Sequence, residues 1–150
     1  MRIVLLVFIL LSLTACGVDT SQQLKGEYKI EFNTEIADTK NVKATLKSFE
    51  NIYDEITGEY KEVTFDVENR SAHTIEIQAY NIHVDGKRIN QGSGILSQEL
   101  KSGQKEKCVL TLQSYTSSEL PSIKEKIKLE LHVFSWDHEI EEDHYVEIEL

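Results

Sequence analysis

The sequence predicts an all-β chain, folded as a two-sheet antiparallel β-sandwich behind an N-terminal signal peptide. From Glu27 onward, apolar residues recur at every second position, which is typical of strands with one buried face. Turn signals rich in Gly, Asn and Asp separate these segments at short intervals. Helix-type periodicity between the segments is negligible, and this combination indicates two stacked sheets.

The first sixteen residues predict the cellular location of the protein. Arg2 supplies a positive charge, and an unbroken apolar run from Ile3 to Leu11 follows it. A membrane-spanning helix needs about 20 apolar residues, and this run is interrupted at Ser12. The segment therefore favours a cleaved signal peptide over residues 1–15.

The end of this segment resembles the lipobox of bacterial lipoproteins. It reads Leu-Thr-Ala-Cys and ends at Cys16. The resemblance implies cleavage before Cys16 and attachment of a diacylglyceryl group, with acyl chains such as palmitate, to its sulfur. The alternative is an ordinary secretory signal that ends near a cysteine. Residues 16–25 read as a polar, flexible tether, and residues 26–150 as one domain.

The charge balance sets the expected partners. The chain has 16 Lys and Arg against 26 Asp and Glu, for a formal net charge of −10. Such a charge repels nucleic-acid phosphates, so nucleic acid is excluded as a partner recognised by charge. It also repels an anionic lipid surface, so we expect attachment to the extracytoplasmic side of the cell membrane through acyl chains alone.

The strands are predicted from their alternation. The inward residues of the first three strands are Tyr28, Ile30 and Phe32, then Val42, Ala44 and Leu46, then Val63, Phe65 and Val67. Next, the phase changes from Ile75, Ile77 and Ala79 to Tyr80, Ile82 and Val84. A β-bulge or a bend near Ala79 would account for the change.

Two further features concern pairing. Asp85-Gly86 predicts a two-residue hairpin turn. In the last two strands, the apolar residues are odd-numbered around Leu131 and even-numbered around Ile148. Both sets can face one core only if the residue numbers of each pair sum to an odd value. We therefore predict that Leu131 pairs with Leu150 and Val133 with Ile148. This register leaves an acidic loop at residues 139–143.

Cys108 has no partner for a disulfide if Cys16 carries lipid. It shares the inward face of an alternating strand with Leu110 and Leu112, so we expect a buried small residue. The alternative is a nucleophilic thiol. Its sequence neighbours include no histidine that would lower its pKa.

The segment from about Glu62 to Leu150 resembles the small immunoglobulin-like, telokin-like domains of unknown function on bacterial lipoproteins. The matching motifs are Val63 to Ser71 ending in Glu-Asn-Arg-Ser, Val84-Asp85-Gly86, the Ser-Gly turn at 102–103, and the alternating strand Leu129 to Val133. The resemblance implies an immunoglobulin-like sandwich at the cell surface. It carries over no catalytic residue or cofactor.

The last hairpin holds the candidate site residues for two functions. Imidazoles and carboxylates that could bind zinc are His132, Asp137, His138, Asp143 and His144. They support an alternative function, an acidic metal-binding or hydrolytic accessory lipoprotein. No nucleophile elbow or Gly-rich phosphate loop is present, so we do not expect an enzyme.

Three aromatic residues support the leading interpretation. Under the register above, Phe134, Trp136 and Tyr145 face outward, with Trp136 opposite Tyr145. Clustered exposed aromatics mark interaction sites. The alternatives are that they cover a sheet edge, that they pack beneath a loop, or that the residues after Val133 switch sheet. We therefore expect a non-catalytic module that is anchored to the membrane and binds an unknown protein or envelope ligand.

Overall fold

The computed structural model describes residues 26–114 and 123–150. The predicted signal peptide, Cys16 and the tether of residues 16–25 lie outside the described residues. Within the described ranges, the chain contains β-strands, one short 3-10 turn at Gln91–Ser93 and no α-helix. In those ranges, no helix has the length and apolar content needed to cross a bilayer.

The strands are β1 (Tyr28–Asp38), β2 (Val42–Asp54), β3 (Gly58–Asn69), β4 (Ile75–Val84), β5 (Lys87–Arg88), β6 (Gly94–Ile95), β7 (Ser97–Leu100), β8 (Lys105–Leu112), β9 (Lys126–Phe134) and β10 (Glu141–Glu149).

The strands form two antiparallel sheets. The first has the order β1-β2-β3-β8-β6, and the second has the order β10-β9-β4-β5, with β7 also paired to β4. Buried apolar side chains from both sheets, such as Phe65 and Leu131, belong to one hydrophobic core. The fold is therefore all-β with two antiparallel sheets, consistent with the predicted β-sandwich.

The alternation places side chains as predicted in most strands. In β9 the odd-numbered residues from Ile127 to Val133 are buried, and the even-numbered ones lie on the opposite face. Val63, Phe65 and Val67 in β3 and Cys108 in β8 are buried as well. Burial of alternate apolar residues from two sheets is the main driving force for this fold.

The predicted irregularity in β4 is confirmed, although its position differs slightly. The pairing of β4 with β9 shifts register between Tyr80 and His83, and Asn81 has a positive φ of 49°. The extra residue lets Ala79 and Ile82 both face the core. Tyr80 was expected to face inward with Ile82, and this expectation was wrong because the bulge follows Tyr80 instead of preceding it.

The Asp85-Gly86 hairpin turn is confirmed. Asp85 and Gly86 have φ values of 47° and 78°, which is the conformation of the turn that this dipeptide favours. The Asp85 carboxylate also accepts hydrogen bonds from the backbone N–H groups of Lys124, Glu125 and Lys126, at 2.9, 3.0 and 2.9 Å. The same residue thus closes β4 and holds the start of β9.

The predicted register of the last hairpin was wrong by six residues. Leu131 pairs with His144 instead of Leu150, and Val133 pairs with Glu142 instead of Ile148. The odd sum of paired numbers is preserved, so the inward and outward faces are as predicted. The observed register differs because the turn spans residues 135–140 instead of lying around residue 141. In this turn the Ser135 N–H donates a hydrogen bond to the Ile140 carbonyl at 3.0 Å, and Ile140 is buried.

The path of β1 defines two ends of the molecule. At one end, the Gly26 carbonyl accepts a hydrogen bond from Asn51 Nδ2, near the β2–β3 turn. At the other end, Thr39 donates to Glu142 at 3.0 Å, beside the turn that follows β9. We call these the Gly26 end and the Trp136 end, and β1 runs from the first to the second.

Candidate functional site: the outer face of the second sheet

Four strands of the second sheet align their outward side chains in rows. The pairing of β7, β4, β9 and β10 sets the rows, because each strand is bonded to the next in an antiparallel register. From the Trp136 end inward, the rows are Glu99, Glu76, Phe134 and Glu141; then Ser97, Gln78, His132 and Asp143; then Tyr80, Glu130 and Tyr145.

Four rings on this face touch in a continuous line, which we call the aromatic ladder. Trp136 meets Phe134 edge to face, with ring centroids 5.1 Å apart and planes at 77°. Phe134 lies 5.1 Å from His132, and His132 lies 5.7 Å from Tyr80. Edge-to-face and tilted contacts are the favourable geometries for such rings. The ladder ends in Trp136, whose side chain is 66% exposed.

The turn after β9 positions Trp136. Ser135 is buried, and its hydroxyl accepts a hydrogen bond from the Ile140 N–H at 3.0 Å. Asp137 Oδ2 lies 2.7 Å from His73 Nδ1, which ties the turn to the β3–β4 connection. Trp136 is therefore held between two anchored residues while its ring remains open to solvent.

Carboxylates beside the ladder are stabilised in their charged form. Glu76 accepts hydrogen bonds from Ser97 and Gln78, both at 2.6 Å, and these bonds lower the pKa of Glu76. Hydrogen bonds from Ser135 and His73 lower the pKa of Asp137 to about 2. Both groups therefore carry negative charge next to Trp136 at any physiological pH.

The three predicted binding residues share the outer side of the hairpin but do not form one cluster. Phe134 and Trp136 are in contact. Tyr145 is 78% exposed, but it pairs with Glu130, two rows from Phe134, so the predicted pairing of Trp136 with Tyr145 was wrong. The error follows from the register shift described above.

The five residues of the metal hypothesis are spread over separate places. His132 Nδ1 lies 2.7 Å from Asp143 Oδ1 on the outer face. His144 faces the other way, where its Nε2 lies 3.1 Å from Glu142, while Asp137 pairs with His73 and His138 occupies the turn. Across residues 26–114 and 123–150, no group of three or more His, Cys, Asp or Glu side chains is arranged to hold a metal ion.

Sequence reasoning missed several members of this face, notably Glu76, Tyr80 and Glu99. They lie on strands far from the hairpin along the chain, and only the pairing of β4 with β9 and β7 brings them to Phe134. The alternation in β4 before its bulge places even-numbered residues on the outer face, and this pattern could have identified Glu76 and Tyr80 as surface residues. No local signal could have matched them to Phe134.

Comparison with known proteins does not assign the chain to a family. Neither protein-family models nor curated proteins give a match. Among solved structures, the chain is similar to a FixG-related protein from Vibrio parahaemolyticus, with 9% identity and a TM-score of 0.37, over 71% of this chain and 94% of that one. A similarity at this level carries no argument about function.

Proposed function

We propose that this protein is a lipid-anchored, extracytoplasmic binding module that recruits an envelope protein or ligand through the aromatic ladder. In this proposal the signal peptide of residues 1–15 is removed, Cys16 carries the lipid, and the chain performs no catalysis. The signal-peptide pattern and the lipobox-like sequence before Cys16 support the location.

We further propose that the domain is immunoglobulin-like. The strand orders support this assignment: β2-β3-β8 in one sheet and β4-β9-β10 in the other follow the chain as A-B-E and C-F-G do in that fold. Strand β1 then adds an extra edge to the first sheet. Domains of this class bind with surfaces and loops on a rigid scaffold, which is compatible with a non-catalytic role.

The observation that carries the proposal is the exposure of Trp136 on top of Phe134, at the end opposite Gly26. Large aromatic side chains dominate binding hot spots, and a solvent-facing Trp seated on another ring is ready to be buried by a partner. A chain tethered to the membrane before Gly26 would present the Trp136 end toward the space outside. The location and the binding surface are therefore mutually consistent.

The test is capture of partners from intact envelopes by the full chain and by two alanine variants. Trp136→Ala should weaken partner binding by about 2 kcal/mol or more, because a desolvated aromatic anchor is lost. Ile56→Ala is the control, since Ile56 is 93% exposed at the Gly26 end. Both variants should keep the wild-type melting temperature.

Equal partner recovery with Trp136→Ala and wild type would refute the proposal. So would a large drop in melting temperature for Trp136→Ala, since any loss of binding would then follow from unfolding.

A further inference from the structure

We propose that the Trp136 end of the aromatic ladder recognises an arginine side chain in a basic segment of a partner protein. This inference rests on the proposed binding function and specifies the chemistry of its partner. It follows from what surrounds the exposed rings.

The row next to Trp136 combines an aromatic ring with three carboxylates. Phe134 lies between Glu76 and Glu141 in the register, and Glu76 lies directly opposite Glu99. Like charges opposite one another in a sheet are destabilising. A cation placed over this row would relieve that repulsion.

The positive charges of the sheet are elsewhere. The three rows of the outer face contain no Lys or Arg. Lys126 and Lys128 of β9 lie toward the Gly26 end, where both pair with Glu147 at 2.8 and 2.9 Å. In the part of the chain that the structure describes, Glu76, Glu99 and Glu141 form no ion pair within 4.0 Å. The exposed aromatic surface is thus complementary to a positive partner.

The arrangement favours arginine over other cations. A guanidinium group stacks on the face of an indole ring and donates parallel hydrogen bonds to a carboxylate. Glu76 accepts hydrogen bonds from Ser97 and Gln78, both at 2.6 Å, so its carboxylate is held in the row next to the ladder's exposed end. One arginine can therefore stack on the ring and donate to a carboxylate of this row, whereas a lysine ammonium presents a point charge without a flat face.

The chain carries its own reporter for this site, because Trp136 is its single Trp. We would titrate the full chain with a short glycine peptide that contains arginines and follow the Trp136 fluorescence. Matched peptides would carry citrulline, which keeps the shape of arginine without its charge, or lysine. We expect saturable binding of the arginine peptide, and binding of the citrulline peptide that is about tenfold weaker.

Three variants test the role of the carboxylates. Glu76→Gln and Glu141→Gln should each weaken arginine-peptide binding several-fold, because each keeps the size of the side chain but removes a charge next to the ladder. Glu149→Gln removes the same charge from β10 at the Gly26 end and should have little effect. A similar loss with all three variants would mean that only net charge matters and would overturn the proposal.

Unchanged Trp136 fluorescence with the arginine peptide, or equal affinity of the citrulline or lysine peptide, would also overturn it. These results are distinguishable from failure of the binding function. If envelope partners depend on Trp136 but not on Glu76 or Glu141, the binding function stands and the arginine assignment is wrong. If no partner depends on Trp136, the binding function itself fails.

Discussion

At Cys108, burial determines the chemistry of the side chain. The thiol is completely buried on the inward face of β8, and burial raises its pKa to about 12, with further contributions from Glu106 and Asp66. A nucleophilic cysteine needs the opposite shift, toward a stable thiolate. The residue therefore acts as a small apolar component of the core.

The first prediction is that Cys108 resists alkylation in the folded protein. At mildly alkaline pH, iodoacetamide should modify Cys108 far more slowly in the native chain than in denaturant, because the thiol is both inaccessible and protonated. Peptide mass mapping measures the rate at this one position. Native labelling as fast as denatured labelling would show that Cys108 is accessible.

The second prediction concerns Asp137. Hydrogen bonds from Ser135 and His73 lower its pKa from 3.8 to about 2 in the folded state. The lowered pKa means that the group stabilises the fold above pH 4 and that this contribution is lost as the pH falls from about 4 to 2. Acid titration of the melting temperature should show this loss.

Asp137→Asn is the matched variant for that titration. Because Asn does not ionise in this range, the variant should start from a lower melting temperature and fall less steeply between pH 4 and 2. Parallel acid curves for the variant and the wild type would contradict the assignment.

At the scale of the strand, β9 is the central element of the second sheet. It lies between β4 and β10, with one face in the core and the other carrying the aromatic ladder. A substitution at an odd-numbered position of β9 should therefore affect stability, and one at an even-numbered position should affect the binding that we propose.

The third prediction uses this parity. Leu131→Ala should lower the free energy of unfolding by about 2 to 5 kcal/mol, because Leu131 is fully buried and its loss leaves a cavity. Its neighbour Glu130→Ala should cost under about 1 kcal/mol, since Glu130 lies on the outer face. Denaturant unfolding of both variants measures the difference in the free energy of unfolding. Equal losses for the two variants would mean that the inward and outward faces of β9 are assigned wrongly.

The sequence predicted which side chains face the core better than it predicted which residues pair across neighbouring strands. Alternation identifies which residues of β9 are buried. The Asp85-Gly86 dipeptide identifies the turn between β4 and β5, because few dipeptides tolerate two positive φ values. Parity alone is unchanged when β10 slides by an even number of residues, so it could not locate the turn at residues 135–140. The rows of the candidate site depend on pairings between distant strands, such as Glu76 with Phe134, which local patterns do not encode.

At the scale of the whole molecule, the two-sheet fold has two different ends. Gly26, the first residue that the structure describes, lies at one end, and the Trp136 end carries the exposed part of the ladder. The ten residues from Cys16 to Lys25 can span at most about 35 Å. In our proposal, this reach keeps the domain near the membrane while β1 carries the chain toward the Trp136 end.

The fourth prediction tests the anchor. Because the acyl group is proposed to attach to the sulfur of Cys16, Cys16→Ser should abolish incorporation of a labelled fatty acid and leave an unprocessed or released protein. Cys108→Ser should keep the label. Equal labelling of Cys16→Ser and wild type would exclude lipidation at this position.

Site-specific photocrosslinking in intact membranes would show whether the Trp136 end is the binding surface, as we propose. A photoreactive phenylalanine analogue would replace Trp136 in one chain and Ile56 in another, because both side chains are exposed and they lie at opposite ends. We expect a discrete partner adduct from position 136 that position 56 does not give. An adduct from position 56 alone, or none from position 136, would contradict it.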